Sequence, residues 1–509
     1  MDANHASGTA ASQPGQEPEP AVAAGPDIAG ANPLDPTGQL RQIVSDCVHC
    51  GFCLPSCPTY QLWGEEMDSP RGRIHLIGQL LDGANASQSA ALHLDRCLGC
   101  MACVPACPSG VRYDRLIEAA RSWASTAPEP VRALPPRSSR DRALRRLIFA
   151  TFPYPSRLRL LLGPLRAAQR TGLDTLLQRS GLTDRLAPEL TAALRVAPRT
   201  ADRLAEGRTG RGRTGRGRTG RGRTGRGRTM GFEAARGRTA GGQAARGRLP
   251  ERVAARGERR AVVGMLTGCV QQVFFPGVNI ATARVLASEG CDVVIPPSQG
   301  CCGALSLHDG RRAEATAFAR GLIETFERAD VEAIVVNSAG CGSAMKEYED
   351  LLADDPAWSA RAAALSAKVA DFSEFLATLD PVAPRHALPL TIAYHDACHL
   401  AHAQRITSQP RDLLAAIPGL TIVELPDAGT CCGSAGIYNL VQPQAAGELG
   451  ARKAAAVSGT GADLVVSGNP GCTLQIASAL DAAGTPKPVA HIAEVLDASI
   501  SAQPASVLL

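Results

Sequence analysis

The sequence predicts a multidomain chain in which a mostly α-helical N-terminal unit is followed by two repeated α/β units. Two four-cysteine runs lie between residues 47 and 108, with a helix-like segment between them. The C-terminal half alternates strand-like and helix-like segments in a pattern that occurs twice. The length of 509 residues suggests about three or four domains, and with only 4% aromatic residues, Ala, Val and Leu must fill the cores.

Composition and pattern divide the chain into segments. A polar N-terminal stretch predicts a disordered tail, and a period-five Arg-Thr-Gly repeat predicts a flexible insert, because neither can bury a core. The predicted boundaries are 1–36 for the tail, 38–125 for the first unit, 126–205 for a helical connector, 206–258 for the Arg/Gly/Thr-rich insert, 260–352 and 390–480 for the two α/β units, and 481–509 for a C-terminal helix and tail.

The net charge of +5 comes from one segment. Residues 201–260 contain 18 Arg and five acidic residues, so the rest of the chain carries a net charge of −8. The repeat "GRTGRGRTGRGRT" is of a kind that binds nucleic acid or anionic lipid. No aromatic residue is interleaved in it for base stacking. We therefore interpret it as a linker and expect no nucleic-acid partner.

The 17 cysteines and the lack of a visible secretory signal indicate a reducing, intracellular compartment. Clustered cysteines there serve metal binding or catalysis more often than disulfides. The longest uncharged stretch, 261–283, is interrupted by glutamine, proline and asparagine, so it predicts no transmembrane helix. We expect a cytoplasmic protein, with peripheral binding to the inner face of the cell membrane left open.

The chemistry of the first unit depends on "CVHCGFCLPSCP" and "CLGCMACVPACP", two copies of C-x2-C-x2-C-x3-C-P. Three cysteines at this spacing can surround one iron–sulfur cube, and in two-cluster ferredoxins the fourth ligates the other cube. The pattern predicts two [4Fe–4S] clusters. Zinc ribbons or reactive thiols are the alternatives, but zinc usually takes two CxxC pairs. One predicted cluster takes Cys47, Cys50, Cys53 and Cys107, and the other takes Cys97, Cys100, Cys103 and Cys57.

The segment "SPRGRIHLIGQLLDG" between the two runs has the signals of a helix. Ser69 is a candidate N-cap, Pro70 suits the first helical position, and Gly83 is a candidate stop. The 39 residues between Cys57 and Cys97 exceed what a compact bacterial ferredoxin usually needs, which favours a mostly helical two-cluster domain. The polar residues expected on the surface of this helix, with compensation of cluster charge as the alternative, are Arg71, Arg73 and His75.

The C-terminal half contains an internal repeat. Six apolar runs predict strands of parallel α/β units, namely "AVVGML", "CDVVIP", "EAIVVN", "LTIAY", "LTIVEL" and "ADLVVS". Four cysteines in each copy follow strands or precede helices, at the edge where open α/β sheets place their sites. They are Cys269, Cys301, Cys302 and Cys341, then Cys398, Cys431, Cys432 and Cys472, with 129 to 131 residues between equivalent positions.

With "GCCGAL" and "TCCGSAG" at its centre, this repeat resembles the cysteine-rich CCG domain of heterodisulfide reductases, anaerobic glycerol-3-phosphate dehydrogenase and glycolate oxidase. In heterodisulfide reductase, paired CCG domains hold noncubane clusters and the pattern ends in CxxC. Here Ala344 and Gln475 stand in place of the last cysteine. The eight repeat cysteines are thus candidate ligands of an ordinary further iron–sulfur cluster, or buried structural residues. Three polar residues are candidates for assisting a cluster or for loop packing: His395, Asp396 and His399.

The order of these units resembles the iron–sulfur subunit of glycolate oxidase. The resemblance covers roughly 38–125 and 260–480 and rests on "CVHCGFCLPSCPTY", "GEEMDSPRGRI", "CLGCMACVPACPSGVRY", "SAGCGSAMKEY" and "TCCGSAGIYN". It implies an electron-transfer subunit. Partner flavoprotein subunits with FAD would oxidise glycolate or D-lactate to glyoxylate or pyruvate, and a quinone or other membrane acceptor would receive the electrons. No residue of this chain is then catalytic, in agreement with its lack of nucleotide-binding patterns.

Two other functions remain as alternatives. The iron–sulfur subunit of anaerobic glycerol-3-phosphate dehydrogenase shares the same layout, but the first cysteine run and its flank are more similar to glycolate oxidase. A heterodisulfide-reductase-like enzyme would carry out thiol–disulfide chemistry on this chain itself. The missing last cysteine of each repeat argues against that enzyme.

Overall fold

The computed structural model describes residues 35, 37–83, 88–126, 138–173, 176, 193–194 and 249–509. Most of the predicted tail, the predicted insert as far as residue 248 and much of the predicted connector lie outside the described residues. Within the described ranges, no helix is both long enough and apolar enough to cross a membrane.

The helices of the first unit are α1 (Gln39–Ser45), α2 (Pro58–Trp63), α3 (Pro70–Leu81), α4 (Gln88–Arg96) and α5 (Tyr113–Thr126), with a 3-10 turn at Glu66–Asp68. The predicted signals of α3 are confirmed. The Ser69 hydroxyl accepts a hydrogen bond from the Gly72 amide at 3.0 Å, and Gly83 follows the helix with a φ of 85°. Ile74 and Ile77 pack α3 against α1 and α5 in one apolar core.

Two helices of the connector follow, α6 (Ser139–Thr151) and α7 (Pro155–Thr171). Arg145 of α6 is buried and forms ion pairs with Asp95 of the first unit and with Asp309 of the first α/β unit. The apolar side of α7 packs against the short helix α8 (Gln271–Phe274). The connector therefore holds the first unit against the first α/β unit.

The strands of the first α/β unit are β1 (Arg252–Val253), β2 (Ala261–Leu266), β3 (Cys291–Val294), β4 (Ala333–Val336) and β5 (Val369–Asp371). They form one sheet in the order β1-β3-β2-β4-β5, in which all pairs are parallel except β1 with β3. The helices after α8 are α9 (Pro276–Ser288), α10 (Ala304–His308), α11 (Arg312–Glu327), α12 (Ala339–Lys346), α13 (Tyr348–Leu351), α14 (Ser359–Ser366) and α15 (Phe372–Ala377).

The strands of the second α/β unit are β6 (Leu390–His395), β7 (Leu420–Glu424), β8 (Leu464–Ser467) and β9 (Val489–His491). They form a parallel sheet in the order β7-β6-β8-β9. A π-helical turn (His399–Ala403) is followed by α16 (Ser408–Ala415), α17 (Tyr438–Val441), α18 (Pro443–Gly459), α19 (Pro470–Ala482), α20 (Ile492–Ile500) and a 3-10 turn at Ala505–Val507.

Four strands of the first sheet correspond to the four strands of the second, since β3-β2-β4-β5 and β7-β6-β8-β9 have the same order and direction. The six strands predicted from apolar runs are confirmed. Three short strands are not predicted. β1 lies within the C-terminal end of the predicted insert 206–258, while β5 and β9 lie beyond the limits set at 352 and 480. Each has only two or three residues, which is too short for a periodic signal.

One apolar core is shared by the two sheets. Val263 and Met265 on β2 and Ile392 and Tyr394 on β6 are fully buried in it. Helices α9 and α20 pack against each other there, as do α15 and α16. The opposite faces of the sheets belong to separate cores that contain repeat cysteines. The shared core therefore fixes the two cysteine-bearing units relative to each other.

Candidate metal centres

The two cysteine loops of the first unit have the same backbone shape. The residues on either side of the second cysteine have positive φ in both loops: His49 (52°) and Gly51 (84°), then Gly99 (64°) and Met101 (59°). Non-glycine residues rarely adopt this conformation, and the strain it carries is concentrated at functional sites. The backbone shape thus repeats along with the cysteine spacing.

The first loop lines a cavity that is partly open to solvent. Cys47, Cys50 and Cys53 line this cavity, and the second loop contributes Cys107 to its wall together with Cys103. Cys50 is exposed to solvent, and the other two residues of the first loop are partly exposed. The first cavity therefore lies close to the surface.

The second loop lines a second cavity. Its wall contains Cys97, Cys100 and Cys103 with Cys57 of the first loop, and all four are buried. The structure thus brings the fourth cysteine of each loop to the cavity of the other loop. Four thiols around a cavity are the donor set of a [4Fe–4S] cluster, so the residues fit two such clusters.

Arg73 lies in the wall of the second cavity, and its predicted position on the helix surface is wrong. Its side chain is 1% exposed and donates hydrogen bonds to the carbonyls of His93 at 2.7 Å and Asp68 at 2.6 Å. In sequence it precedes Ile77 and Leu80 by four and seven residues, in the buried row of α3. That helical periodicity is the signal that could have predicted its burial.

Asp68 supplies the counter-charge to Arg73. Its carboxylate is fully buried and lies 3.2 Å from the Arg73 guanidinium, 2.9 Å from Arg96 and 2.9 Å from the His93 ring. Removal of one partner from a buried ion pair costs about 3–5 kcal/mol, because the other charge is left buried without compensation. The burial of Asp68 and the burial of Arg73 therefore depend on each other. The network fixes the 3-10 turn before α3 and holds a positive charge beside the second set of thiols.

The other two polar residues of α3 differ from each other. His75 is exposed, as predicted. Arg71 is partly buried in the wall of the first cavity, where it donates a hydrogen bond to the His49 carbonyl at 3.0 Å and pairs with Glu66 at 2.6 Å. Each cavity therefore has one guanidinium group from α3 in its wall.

Burial and positive charge act in opposite directions on the thiols of the second cavity. Burial raises the pKa of Cys100 and of Cys103. Burial also acts to raise the pKa of Cys97, but the guanidinium charges of Arg73 and Arg121 outweigh it and lower that pKa. Cys97 is therefore favoured as the thiolate, which is the form that binds metal.

The repeat cysteines lie together at the carboxyl ends of the strands in both α/β units. In the first unit, Cys269 follows β2, Cys301 and Cys302 follow β3, and Cys341 lies in the first turn of α12. The sulfur atoms of Cys269 and Cys301 are 3.5 Å apart. The second unit has Cys398, Cys431, Cys432 and Cys472 at the equivalent places.

The glycine of each CCG sequence is required by its backbone conformation and by the space around it. Gly303 and Gly433 have φ angles of 84° and 90°. A Cβ atom would lie 3.1 Å from Ala315 of α11 in the first case and 2.8 Å from the Ala446 carbonyl of α18 in the second. Because only glycine suits such positions, it lets the cysteine pair approach the neighbouring helix.

The two repeats differ in the pKa shifts of their cysteines. In the first, a hydrogen bond with Cys269 raises the pKa of Cys301, and a hydrogen bond with Cys301 raises the pKa of Cys302. In the second, a hydrogen bond with Cys431 lowers the pKa of both Cys398 and Cys432. Two thiols of the second repeat are therefore favoured in the metal-binding form.

The three polar candidates of the second repeat have different surroundings. The ligand atoms of His395, Cys432 and Cys472 lie within 4.8 Å of one another, close enough to hold one metal ion. Asp396 instead pairs with Arg411 at 2.8 Å. The Nδ1 atom of His399 lies 3.7 Å from the sulfur of the cysteine that precedes it.

The second repeat lies directly against the second cavity of the first unit. Cys100 belongs to the same buried apolar cluster as Cys398 and Cys431. The Tyr438 hydroxyl of α17 also donates a hydrogen bond to the Arg96 carbonyl at 3.1 Å. The buried cysteines Cys269, Cys301 and Cys302 of the first repeat belong to a different core.

A group of titratable side chains lies where the three units meet. Glu118 comes from α5, His308 and Glu347 come from the first repeat, and His399 comes from the π-helical turn of the second. A Glu118 oxygen is 3.3 Å from the His308 ring, and the two histidine rings are 5.0 Å apart. Burial raises the pKa of Glu118 to about 7 and that of Glu347 to about 8. No local pattern marks these residues, because they meet only in the folded chain.

Three family models match the chain. A 4Fe-4S dicluster domain matches residues 43–111, the linker region of the glycolate oxidase iron-sulfur subunit matches 140–197, and a cysteine-rich domain matches 263–346 and 392–477. Together with the two thiol-lined cavities, these matches define an iron–sulfur protein with a dicluster domain and two cysteine-rich repeats.

Comparison with individual proteins identifies the family within this class. A probable glycolate oxidase iron-sulfur subunit of Bacillus subtilis (strain 168) is 36% identical over 462 residues, which cover 89% of this chain and 93% of that protein. The glycolate oxidase iron-sulfur subunit of Escherichia coli (strain K12) is 32% identical over 447 residues, or 87% and 91%. Lactate utilization protein A of an Exiguobacterium species is 34% identical over 239 residues, or 47% and 98%. The chain belongs to the family of glycolate oxidase iron–sulfur subunits.

Proposed function

We propose that the chain is the electron-transfer subunit of a complex that oxidises glycolate or D-lactate to glyoxylate or pyruvate. Flavoprotein subunits with FAD carry out the oxidation, and a quinone-type acceptor receives the electrons. The observation that carries this proposal is the crossed position of Cys57 and Cys107, which supports two neighbouring clusters. The names of the relatives support glycolate as the substrate, with lactate as the second candidate.

Eight thiols are the proposed ligands of the two clusters: Cys47, Cys50, Cys53 and Cys107 for the first, and Cys97, Cys100, Cys103 and Cys57 for the second. When bound, such clusters supply one-electron chemistry. The polypeptide contributes positive charge from Arg71 and Arg73 and excludes water from the buried second set of thiols. We assign no catalytic acid or base to this chain.

The surface beside the first cavity is the proposed docking face for the flavoprotein. Val48 and Phe52, which flank Cys50 in sequence, are 69% and 66% exposed. Large exposed apolar side chains in the loop that lines a cavity support its use as an interaction surface. The second cavity meets the second cysteine-rich repeat instead. A quinone acceptor implies a peripheral position of the complex at the inner face of the cell membrane.

The test uses the complex of this chain with its flavoprotein, purified without oxygen. Glycolate-dependent reduction of a soluble quinone is measured beside reduction of a dye that accepts electrons from the flavin directly, and D-lactate is tested in parallel. Cys57→Ser is expected to abolish quinone reduction and to leave dye reduction intact. Cys291→Ala, at a cysteine that opens β3 outside both ligand sets, is the control and should retain both activities. Undiminished quinone reduction in Cys57→Ser would contradict the proposal.

A further inference from the structure

The second repeat has a buried histidine where the first has a leucine. His395 ends β6, and Leu266 ends the equivalent strand β2. These two residues are 129 positions apart, which is also the separation between Cys269 and Cys398. Leu266 is buried in the apolar core of the first repeat. The repeats therefore differ in one metal-binding side chain although each keeps four cysteines.

Among the residues that the structure describes, the polar groups beside the His395 ring are the thiols of the second repeat, and the ring interacts with Cys432. The His395 side chain is 1% exposed, and neither ring nitrogen makes a hydrogen bond of normal geometry to a described residue. A ring nitrogen instead faces the thiols of Cys432 and Cys472 within 4.8 Å. An unpaired buried polar group costs about 1–3 kcal/mol, which a bond from this nitrogen to a metal would offset.

We propose that His395 is a nitrogen ligand of an iron–sulfur centre in the second repeat, where the cysteine ligands are Cys398, Cys431, Cys432 and Cys472. The inference rests on the proposed electron-transfer function and deepens it. His395 would be the fifth ligand, since the repeat has Gln475 in place of the last cysteine of the CxxC pattern. A histidine ligand in place of a cysteine raises the reduction potential in other iron–sulfur proteins. Its ligands Cys398 and Cys431 pack in the same buried apolar core as Cys100, a proposed ligand of the second [4Fe–4S] cluster. The centre is therefore placed next to that [4Fe–4S] cluster, as its neighbour of higher reduction potential. The first repeat, with Leu266, lacks this ligand.

The test is pulsed electron paramagnetic resonance of the full chain, purified without oxygen from cells grown on nitrogen-15-labelled histidine. A histidine ligand couples its nitrogen to the reduced centre, and this coupling changes with the label. We expect the coupling in the wild-type chain. We expect it to be absent from His395→Cys, which retains the iron of this centre because cysteine is also a ligand. His395→Ala is expected to lose both the coupling and iron.

Two matched variants assign the signal to one repeat. Cys472→Ser is expected to remove the coupled signal and to lower the iron content, whereas Cys341→Ser at the equivalent position of the first repeat leaves the coupled signal unchanged. A wild-type chain without histidine coupling, coupling that persists in His395→Cys, or zinc in place of iron would each overturn the inference. The electron-transfer proposal is tested separately. It stands even if the His395 inference fails, provided that Cys57→Ser removes one cluster signal of the first unit.

Discussion

The fourth cysteine of each loop distinguishes the cysteine sets of the two cavities. Cys57 and Cys107 end their own loops in the sequence, yet each lines the cavity of the other loop. The spacing predicts this crossing, because the fourth cysteine points away from the first three. The buried row of α3 indicates that Arg73 is buried, but not which groups pair with its charge, because Asp68 and the His93 carbonyl approach it only in the folded unit.

Serine substitutions should therefore give two pairs of matching spectra. We expect the electron paramagnetic resonance spectrum of Cys57→Ser to match that of Cys100→Ser, because both residues line the second cavity. The spectrum of Cys107→Ser should match that of Cys50→Ser for the same reason at the first cavity. Each variant keeps the signal of the other cluster. A match between Cys57→Ser and Cys50→Ser would contradict the crossed arrangement.

Arg73→Met removes a buried positive charge from the second cavity. Because reduction adds negative charge to the cluster there, we expect the midpoint potential of that cluster to fall. Because Asp68 loses a buried partner, the free energy of unfolding should fall by about 3–5 kcal/mol. Redox titration and denaturant unfolding measure the two effects. His75→Gln, on the exposed side of the same helix, should change neither quantity, and an unaltered potential in Arg73→Met would refute the electrostatic role.

At the scale of elements, apolar runs predict the long inner strands but not the short outer ones. Strands β2 and β6 have six residues each and are mostly apolar, whereas β5 and β9 have three residues each. The short strands form because a neighbouring strand supplies their hydrogen-bond partners. The core shared by the two sheets likewise depends on contacts between α9 and α20, and no local sequence pattern reports those.

The CCG turn offers a test within one repeat. Gly433→Ala places a side chain at a φ of 90° and against the Ala446 carbonyl, so we expect a loss of about 2–4 kcal/mol in the free energy of unfolding. Gly447→Ala is the matched control, because Gly447 is exposed within α18 and a Cβ there meets no atom within 4 Å. That variant should gain about 0.5–1 kcal/mol. Equal stabilities of the two variants in denaturant titrations would contradict the packing described for this turn.

The whole molecule depends on contacts that join three units around buried charge. Arg121 of α5 donates hydrogen bonds to the Leu94 carbonyl at 3.1 Å and to the His308 carbonyl of the first repeat at 3.0 Å. Beside it lie Glu118 and Glu347, whose carboxyl groups are close enough to influence each other. Because these acids are buried where the units meet, we expect the stability of the folded chain to depend on pH.

Glu347→Gln should raise stability at high pH. The pKa of Glu347 is raised to about 8, mainly by burial and then by Glu118, so the folded chain holds a proton that the unfolded chain releases above about pH 4.5. Stability of the wild type therefore falls as the pH rises from about 4.5 to 8. The neighbouring charged or titratable groups include Arg112, Asp114, Glu118 and His399.

We expect Glu347→Gln to raise the Tm by about 1 °C at pH 9, which corresponds to about 1 kcal/mol in a chain of 509 residues, and to change it little at pH 5. Differential scanning calorimetry at the two pH values measures this difference. Glu349→Gln, at an exposed position two residues further on, is the control. The same Tm change at both pH values would contradict the raised pKa.

Iron and acid-labile sulfide per chain, measured after purification without oxygen together with an electron paramagnetic resonance spectrum of the reduced protein, test most directly whether this chain is an electron carrier. Two [4Fe–4S] clusters in the first unit predict at least about eight irons with equal sulfide and two cluster signals. A third centre in the second repeat would add iron beyond that number. A chain that contains zinc and little iron or sulfide would contradict the electron-transfer function.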